Sequence, residues 1–228
     1  HLYLALGAPE AVSNKIRNLA QNDDSYYGKI LKININEFSK KNIRNIEIYS
    51  KGHRNPQGLI NYNDKIISTE HGPFGGDEIN IISYKNNFGW PITSYGTKYF
   101  KDDNTVNNTF GDGQSFSFDA NIMEKFKEPI YAFIPSEAIS DLTKCPEKLI
   151  NYYNKPCLIL SSLKAGSLFI VLLNKNYNRV ISIEKISIGL RLRHFIKNTD
   201  NSIYDGKDHL YVSADREGIL KIQFKNFR

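Results

Sequence analysis

The run His209-Leu210-Tyr211-Val212-Ser213-Ala214, followed a few residues later by Gly218-Ile219-Leu220-Lys221-Ile222, decides the fold class of this chain. Both runs are short, largely apolar and bounded by turn residues, which is typical of β-strands. The first run has a close copy at 1–6 and a weaker one at 65–70, and the second has copies at 28–33 and 166–171. A strand, a glycine turn and a second strand that recur along a chain are typical of stacked sheets or propeller blades.

The length indicates an incomplete propeller. Blades of four strands take about 40–50 residues each, so the 228 residues supply only four or five of them. A propeller must close to bury its edge strands, and we therefore expect residues 1–228 to be one propeller domain that lacks its N-terminal blades. Helix signals are weak and centre on 11–21, whereas the Asn-, Asp- and Gly-rich stretch 101–119 predicts a long polar loop.

Composition excludes several classes of protein. The chain carries 30 Lys and Arg against 24 Asp and Glu, a net charge of +6, but these charges are spread along the sequence. A nucleic-acid interface needs a clustered basic face, so we expect no such partner. No apolar run approaches the roughly 18 residues of a membrane helix, and no signal-peptide pattern is present.

Two cysteines, Cys145 and Cys157, flank a loop that could bring them together. They are too few for a disulfide scaffold or a zinc cluster. A single disulfide, which would fit an oxidising compartment, and two unrelated thiols are both compatible with the sequence.

The densest polar cluster is "GHRNPQGL" at 52–59. Because Pro56 donates no ladder hydrogen bond, we expect a loop or tight turn that presents Arg54, Asn55 and Gln57. The planar fork of an arginine suits carboxylates or quinone oxygens. Taken alone, this segment favours a purely structural turn over a binding site.

A glycine-rich stretch, "EHGPFGGDEIN" at 70–80, exposes backbone carbonyls and adds the carboxylates of Asp77 and Glu78. Hard oxygen ligands of this kind are those that Ca²⁺ selects, although the spacing matches no EF-hand loop. The following "NNFGWP" at 86–91 places Trp90 in a turn, where packing between blades is the simplest role.

Three basic residues near the C-terminus form a candidate anion site. Lys164 lies between a strand and a glycine turn, and Arg191 and Arg193 fall on the same side of an extended segment. These residues could simply form a solvent-exposed surface. Alternatively, they form a binding site for an anion with several carboxylates, which arginine binds well.

In this order, the motifs "GHRNPQGL", "EHGPFGGDEIN", "NNFGWP", "YGTKY", "SLKAG" and "LRLRH" resemble those of the soluble glucose/sorbosone (aldose sugar) dehydrogenase family, which uses pyrroloquinoline quinone, PQQ. The resemblance implies an all-β fold, a six-bladed propeller of four-stranded antiparallel blades. It also implies PQQ and Ca²⁺ as cofactors, an aldose oxidised at C1 to the lactone, and an external electron acceptor. A periplasmic or secreted monomer or homodimer is further implied.

The resemblance also assigns site residues. It implies that Arg54 is catalytic, contacting the quinone carbonyls together with Asn55. The full implied cofactor site is Arg54, Asn55, Gln57, Tyr99, Lys164, Ala165, Gly166, Arg191, Leu192 and Arg193. The carbonyls of Gly72 and Pro73 would hold the calcium at the quinone, and Glu78 with the backbone of Phe88 matches a second, structural calcium site.

The sequence departs from the family at three places. The catalytic histidine base is expected upstream of residue 1, so the chain alone should not turn over sugar, and neither His53 nor His71 takes that role. Ile134 stands where an aromatic lid is expected, and His194 where an aspartate is usual. A non-enzymatic extracellular binding propeller is the alternative, and a lactonase-like propeller lacks a convincing set of acidic channel residues.

Overall fold

The computed structural model describes residues 1–9, 14–35, 46–96, 120–196 and 208–225, and strands dominate them. In chain order the strands are β1 (Leu2–Leu6), β2 (Lys29–Ile33), β3 (Ile46–Lys51), β4 (Pro56–Tyr62), β5 (Lys65–Glu70), β6 (Asp77–Ile82), β7 (Tyr131–Phe133), β8 (Ile139–Lys144), β9 (Cys157–Ser162), β10 (Ser167–Leu173), β11 (Val180–Ser187), β12 (Leu192–Phe195), β13 (His209–Ala214) and β14 (Gly218–Gln223).

Helices are few and short. They are α1 (Asn14–Arg17), a 3-10 turn at Asn18–Ala20, α2 (Ala120–Met123) and α3 (Glu147–Tyr153). The weak helical pattern at 11–21 therefore corresponds to α1 and the 3-10 turn, while the predicted polar loop at 101–119 lies outside the described residues. Within those residues, no helix has the length and apolar character required to cross a membrane.

The strands pair antiparallel, each with its neighbour in sequence, into four sheets. Blade 1 is β1-β2-β3, blade 2 is β4-β5-β6-β7, blade 3 is β8-β9-β10-β11 and blade 4 is β12-β13-β14. The first strands of successive sheets contact one another, β1 with β4, β4 with β8 and β8 with β12. Sheets that meet along their first strands in this way are the blades of a β-propeller around a common axis.

The apolar cores lie between the blades. On β9, Ile159 packs in a cluster with Leu210 of blade 4, whereas its neighbour Leu160 packs in a cluster with Ile67 of blade 2. Because side chains alternate along a strand, one strand supplies both cores. Each such side chain is fully or almost fully buried, which contributes about 1.5–3 kcal/mol per residue.

Buried hydroxyl groups join the blades close to the axis. Thr69 of β5 donates from Oγ1 to the Ser140 carbonyl in β8 (3.1 Å), and Ser140 Oγ donates to the Leu192 carbonyl in β12 (2.8 Å). Ser161 Oγ donates to the Arg193 carbonyl (2.8 Å). These bonds satisfy carbonyls that the ladder hydrogen bonds do not reach, and they hold the first strands in register where the candidate site is built.

Cys145 and Cys157 form a disulfide that closes the connection between β8 and β9. Both cysteines are buried in the core between blades 3 and 4. The open question of the sequence is thus answered in favour of the disulfide. The bridge joins the end of β8 to the start of β9, and the connection after β9 carries Lys164.

A fully buried lysine holds the segment that contains α1 against blade 1. The ammonium group of Lys29 donates to the carbonyls of Leu19, Ala20 and Tyr27, each at 2.9 Å. Burial lowers the pKa of Lys29 to about 8, although the nearby Asp23 carboxylate acts in the opposite direction. The clamped Ala20 carbonyl in turn accepts the Gly52 amide (3.1 Å), at the entrance to the "GHRN" turn.

Candidate active site

Arg54 and Asn55 lie in the turn between β3 and β4, and neighbouring backbone fixes both. The Arg54 carbonyl accepts the Ala8 amide (2.7 Å), and the Asn55 carbonyl accepts the His71 amide (3.0 Å). The Arg54 guanidinium donates from Nη1 to the carbonyls of Gly72 (2.8 Å) and His71 (3.1 Å), and it lies 5.4 Å from the centre of the Trp90 ring. The two predicted motifs therefore meet at this guanidinium.

The turn is shorter than predicted. Strand β4 begins at Pro56, so Gln57 is a strand residue, and the expectation of a loop or turn that extends through Gln57 was wrong. β4 lies at the edge of its sheet, which agrees with the exclusion of a central strand. Proline is tolerated as the first residue of a strand, and the pairing with β5 shifts register between Pro56 and Gly58. Gln57 still reaches the turn, because its Nε2 donates to Asn55 Oδ1 (2.9 Å).

Beneath the turn, a buried chain of polar groups supports the Arg54 backbone. Glu70 accepts the Arg54 amide on Oε1 and lies 3.0 Å from His53 Nδ1 through Oε2. The other ring nitrogen, His53 Nε2, lies 2.8 Å from Ser50 Oγ. The His53 ring is fully buried, which agrees with giving it no part as the base. Glu70 and Ser50 were not predicted as site residues, and β5 offers no alternation that would have revealed Glu70, because its last four residues are all buried.

The glycine-rich loop is folded so tightly that side chains do not fit. A Cβ on Gly72 would lie 2.0 Å from the Gly75 carbonyl oxygen, and one on Gly76 would lie 2.2 Å from the Gly96 nitrogen. Gly76 also has φ +67°, a region that glycine alone adopts freely. The loop therefore presents backbone oxygens, including that of Gly72, which accepts Arg54.

Under this loop is an enclosed cavity of about 10 Å³, room for a single water molecule or ion. Its walls include Glu70, Glu78, Gly72 and Phe88. The pKa of Glu78 is raised to about 8, chiefly by burial and then by the Glu70 carboxylate, while a hydrogen bond from Asn80 opposes the shift. Two carboxylates and nearby carbonyls suit a hard cation. Within the described ranges, no group of three or more His, Cys, Asp or Glu forms a metal-binding cluster.

His71 lies at the same cavity and is held neutral. Burial, and secondarily the Arg54 charge, lower the pKa of His71, while Asp77 and backbone hydrogen bonding to Ile139 and Ala138 act in the opposite direction. Its Nε2 is buried without a hydrogen-bond partner in the part of the chain that the structure describes. One buried polar atom beside the cavity is therefore left without a hydrogen-bond partner among the described residues.

A larger, open cleft of about 480 Å³ adjoins the loop. It brings together residues from three connections: Pro73, Phe74 and Gly75 after β5, Ile134, Pro135 and Ser136 before β8, and Lys164 after β9. Lys164 is exposed, and so are Phe74 (56%) and Ile134 (67%). Ile134 lies at the position where the family has an aromatic lid. The aromatic ring of Phe74 borders the same cleft, and this position was not predicted from the sequence.

Arg191 and Arg193 are on the same side of their segment, as predicted, and both bind Asp215. Arg191 Nε lies 3.1 Å and Arg193 Nη2 lies 2.9 Å from Asp215 Oδ2. The two arginines lower the pKa of Asp215, with the hydrogen bond from Arg193 as the largest cause. Arg191 Nη1 also approaches the Leu163 carbonyl (3.5 Å), next to Lys164.

The remaining predicted residues are structural in their immediate contacts. Leu192 is buried in the core between blades 3 and 4, and its carbonyl accepts Ser140. Gly166 has φ +56° and its carbonyl accepts two amides, while the Ala165 amide donates to Ser162 Oγ (3.0 Å). The exposed His194 lies 3.8 Å from the buried Asp141 carboxylate. Tyr99 lies outside the described residues.

Sequence comparison matches the "Glucose / Sorbosone dehydrogenase" family model to residues 1–215. An uncharacterised protein of Synechocystis is 31% identical over 202 residues, 83% of this chain and 45% of the relative. The aldose sugar dehydrogenase of Escherichia coli is 37% identical over 108 residues, 43% of this chain and 28% of the relative. The chain thus spans less than half the length of these relatives.

Solved structures share the fold. A crystal structure of glucose dehydrogenase has a TM-score of 0.70 at 22% identity, over 99% of this chain and 61% of that one. The PQQ-bound aldose sugar dehydrogenase of Streptomyces coelicolor has a TM-score of 0.62 at 20% identity, over 97% and 57% of the two chains. The all-β propeller class predicted from the sequence is confirmed. The chain belongs to the glucose/sorbosone dehydrogenase family.

Proposed function

We propose that this chain carries the cofactor-binding part of a PQQ-dependent aldose sugar dehydrogenase. The observation that carries the proposal is the open cleft, where Lys164 faces Pro73 of the glycine-rich loop across about 480 Å³. A cation and exposed apolar side chains around one cleft suit a flat ligand with carboxylates. Similarity to a PQQ-bound sugar dehydrogenase supports the same cofactor.

The residues present are chemically suited to both PQQ and Ca²⁺. The ammonium of Lys164 would bind a carboxylate, and the Arg191–Arg193 pair would provide further charge on the neighbouring connection. The carbonyls of Gly72 and Pro73 would hold one Ca²⁺, and Glu78 with the Phe88 backbone would hold a second in the enclosed cavity. These assignments, and those of Asn55, Gln57, Ala165 and Gly166, are proposals.

When bound, PQQ would supply the chemistry for oxidising an aldose at C1 to the lactone. The role of this chain would be to orient the cofactor and to stabilise the negative charge that develops on it. Arg54 would stabilise negative charge beside the Gly72 carbonyl, because its guanidinium is already held there by two hydrogen bonds. We assign the base that would remove the hydroxyl proton of the sugar to no residue of this chain.

The wider setting follows from the same proposal. An external acceptor would take the electrons, and the site would work in the periplasm or outside the cell as a monomer or homodimer. The Cys145–Cys157 disulfide supports an oxidising compartment.

Binding of PQQ by this chain in the presence of CaCl₂ tests the proposal. Trp90 is the only tryptophan and lies beside Arg54, so its fluorescence should fall as PQQ binds. We expect Lys164→Ala and Arg54→Ala each to weaken binding about tenfold or more, since each removes a charge-assisted bond. Lys175→Ala, an exposed lysine on another connection, is the matched control.

Sugar-dependent dye reduction by the complete gene product extends the test to activity. A folded protein that neither binds PQQ nor reduces dye with any aldose would refute the dehydrogenase and favour the binding propeller. Equal PQQ affinity in Lys164→Ala and Lys175→Ala would refute the assignment of the cleft.

A further inference from the structure

Asp77, the first residue of β6, is fully buried at the junction of two cleft-forming loops. Its Oδ1 accepts the Gly72 amide (3.1 Å). Its Oδ2 accepts Ser136 Oγ (2.7 Å) and the amides of Glu137 (2.9 Å) and Ala138 (2.6 Å). One carboxylate therefore joins the glycine-rich loop of blade 2 to the connection that enters blade 3.

The connection that Asp77 holds is conformationally unusual. Ala138 has φ +53°, in the left-handed region that costs a residue with a Cβ about 1 kcal/mol or more. Such a conformation persists only where the surroundings hold it, and such sites cluster at functional positions. The short bond from the Ala138 amide to Asp77 is one of the interactions that hold it.

The same connection continues to the Lys164 loop. The Ala138 carbonyl accepts the Leu163 amide (2.9 Å), and the Glu137 carbonyl accepts Ser162 Oγ (2.5 Å) and the Ala165 amide (3.3 Å). Both neighbours of Lys164 are thus bonded to the two residues whose amides Asp77 binds. All three connections that line the cleft are linked through this carboxylate.

We propose that Asp77 is a positioning residue, which sets the distance between the calcium-binding carbonyls and Lys164. This inference rests on the proposed PQQ site and adds to it a residue with no direct contact to the ligand. All four of its bonds are to donors of the protein, so its part in this proposal is to hold the loops. The sequence-based suggestion that its carboxylate adds to the calcium loop stays a prediction.

Asp77→Asn is the sharpest variant, since it keeps the shape of the side chain. Whichever way the new amide is oriented, its NH₂ faces either the Gly72 amide or the Ser136–Ala138 donors, so one loop must be released. We expect amide hydrogen exchange at Ala138, Leu163 and Ala165 to accelerate at least tenfold in the cofactor-free protein. The Kd for PQQ with CaCl₂ should rise about 10–100-fold, the range found when groups that hold metal ligands are removed.

Asp141→Asn is the matched control. Asp141 is also buried and accepts the amides of Leu142 (2.8 Å) and Phe195 (2.9 Å), which belong to strands β8 and β12. We expect it to lower the Tm by a similar amount while the Kd for PQQ stays within about twofold. Should Asp77→Asn not fold, Ser136→Ala removes one bond of the four and should give smaller changes in the same direction.

The outcomes are separable. Wild-type exchange and wild-type PQQ affinity in Asp77→Asn would overturn the inference, as would losses that merely equal those of Asp141→Asn. A wild-type chain that does not bind PQQ would sink the proposed function, and the exchange rates alone would then decide whether Asp77 braces the cleft.

Discussion

Around Arg54 the polar groups are buried and bonded to backbone, whereas around Arg191 and Arg193 they are exposed and bonded to one carboxylate. Glu70 and His53 are almost completely buried beneath the turn, while the side chains of Arg191 and Arg193 are about half exposed. Buried polar groups must be satisfied or they cost several kcal/mol, but exposed ion pairs contribute little. The first region should therefore respond to substitution through stability, and the second through ligand binding.

Glu70→Ala should have the largest effect. It leaves the Arg54 amide and His53 Nδ1 without their acceptor in a buried site, and each buried donor left unsatisfied costs about 1–3 kcal/mol. Urea unfolding would measure the loss. Glu217→Ala, an exposed residue in the turn before β14, should leave the midpoint unchanged, and a loss below about 1 kcal/mol in Glu70→Ala would contradict the buried-support argument.

Lys29→Met should follow, with a loss of about 3 kcal/mol, because it removes three hydrogen bonds from a charged donor, each of which contributes about 1.5–3 kcal/mol, and the cost of burying the ammonium group offsets part of that contribution. The side chain keeps its apolar stem but no longer donates to Leu19, Ala20 and Tyr27. Since Ala20 also accepts Gly52, Trp90 fluorescence should change together with the unfolding midpoint. Lys221→Met on the exposed strand β14 is the control, and equal midpoints in the two variants would argue against the clamp.

The same contrast separates what the sequence predicts from what it does not. Turn chemistry and apolar periodicity indicated the blades, because strands such as β9 and β13 are short and their repeats are separated by glycine turns. The alternation of side chains in an extended segment likewise predicted that Arg191 and Arg193 lie on the same side of it. These features depend on a few neighbouring residues, which a sequence displays directly.

Hydrogen bonds between residues that are far apart in the sequence could not be predicted from such local patterns. Glu70 beneath Arg54, Asp77 beneath Ala138 and Asp215 between two arginines each act over 15 or more residues, as the bonded pairs show. Which acceptor meets which donor is decided by how the blades stack. The misjudged position of Gln57 has the same origin, because a register shift allows Pro56 to begin β4.

The pH dependence of stability should differ in sign between the two regions. The pKa of Glu78 is raised from 4.5 to about 8 in the folded chain, so the folded state binds the extra proton across that range. In EDTA, stability should therefore fall as pH rises from about 4.5 to 8. The pKa of Asp215 is lowered, so its contribution is lost only as pH falls through the acid range.

Thermal unfolding from pH 4.5 to 8.5 checks this dependence, with Glu78→Gln as the control that should flatten the slope. CaCl₂ should raise the Tm more at pH 8 than at pH 5, because a cation replaces the proton on Glu78. A slope that is the same in both proteins would show that Glu78 is not the group responsible.

Asp215→Ala should have the smallest effect on stability, with only a small lowering of the midpoint, since the carboxylate and both guanidinia are solvent-accessible. Its effect should appear in PQQ binding. Removing one negative charge leaves two arginines to attract a ligand with several carboxylates, and this attraction is screened by salt. We expect PQQ to bind about two- to threefold more tightly at 20 mM salt, by the size of an exposed ion pair, and equally at 300 mM salt. Weaker binding at both salt concentrations would instead mean that Asp215 orients the side chains of Arg191 and Arg193 for the ligand. In both regions a carboxylate would then hold the binding residues in position.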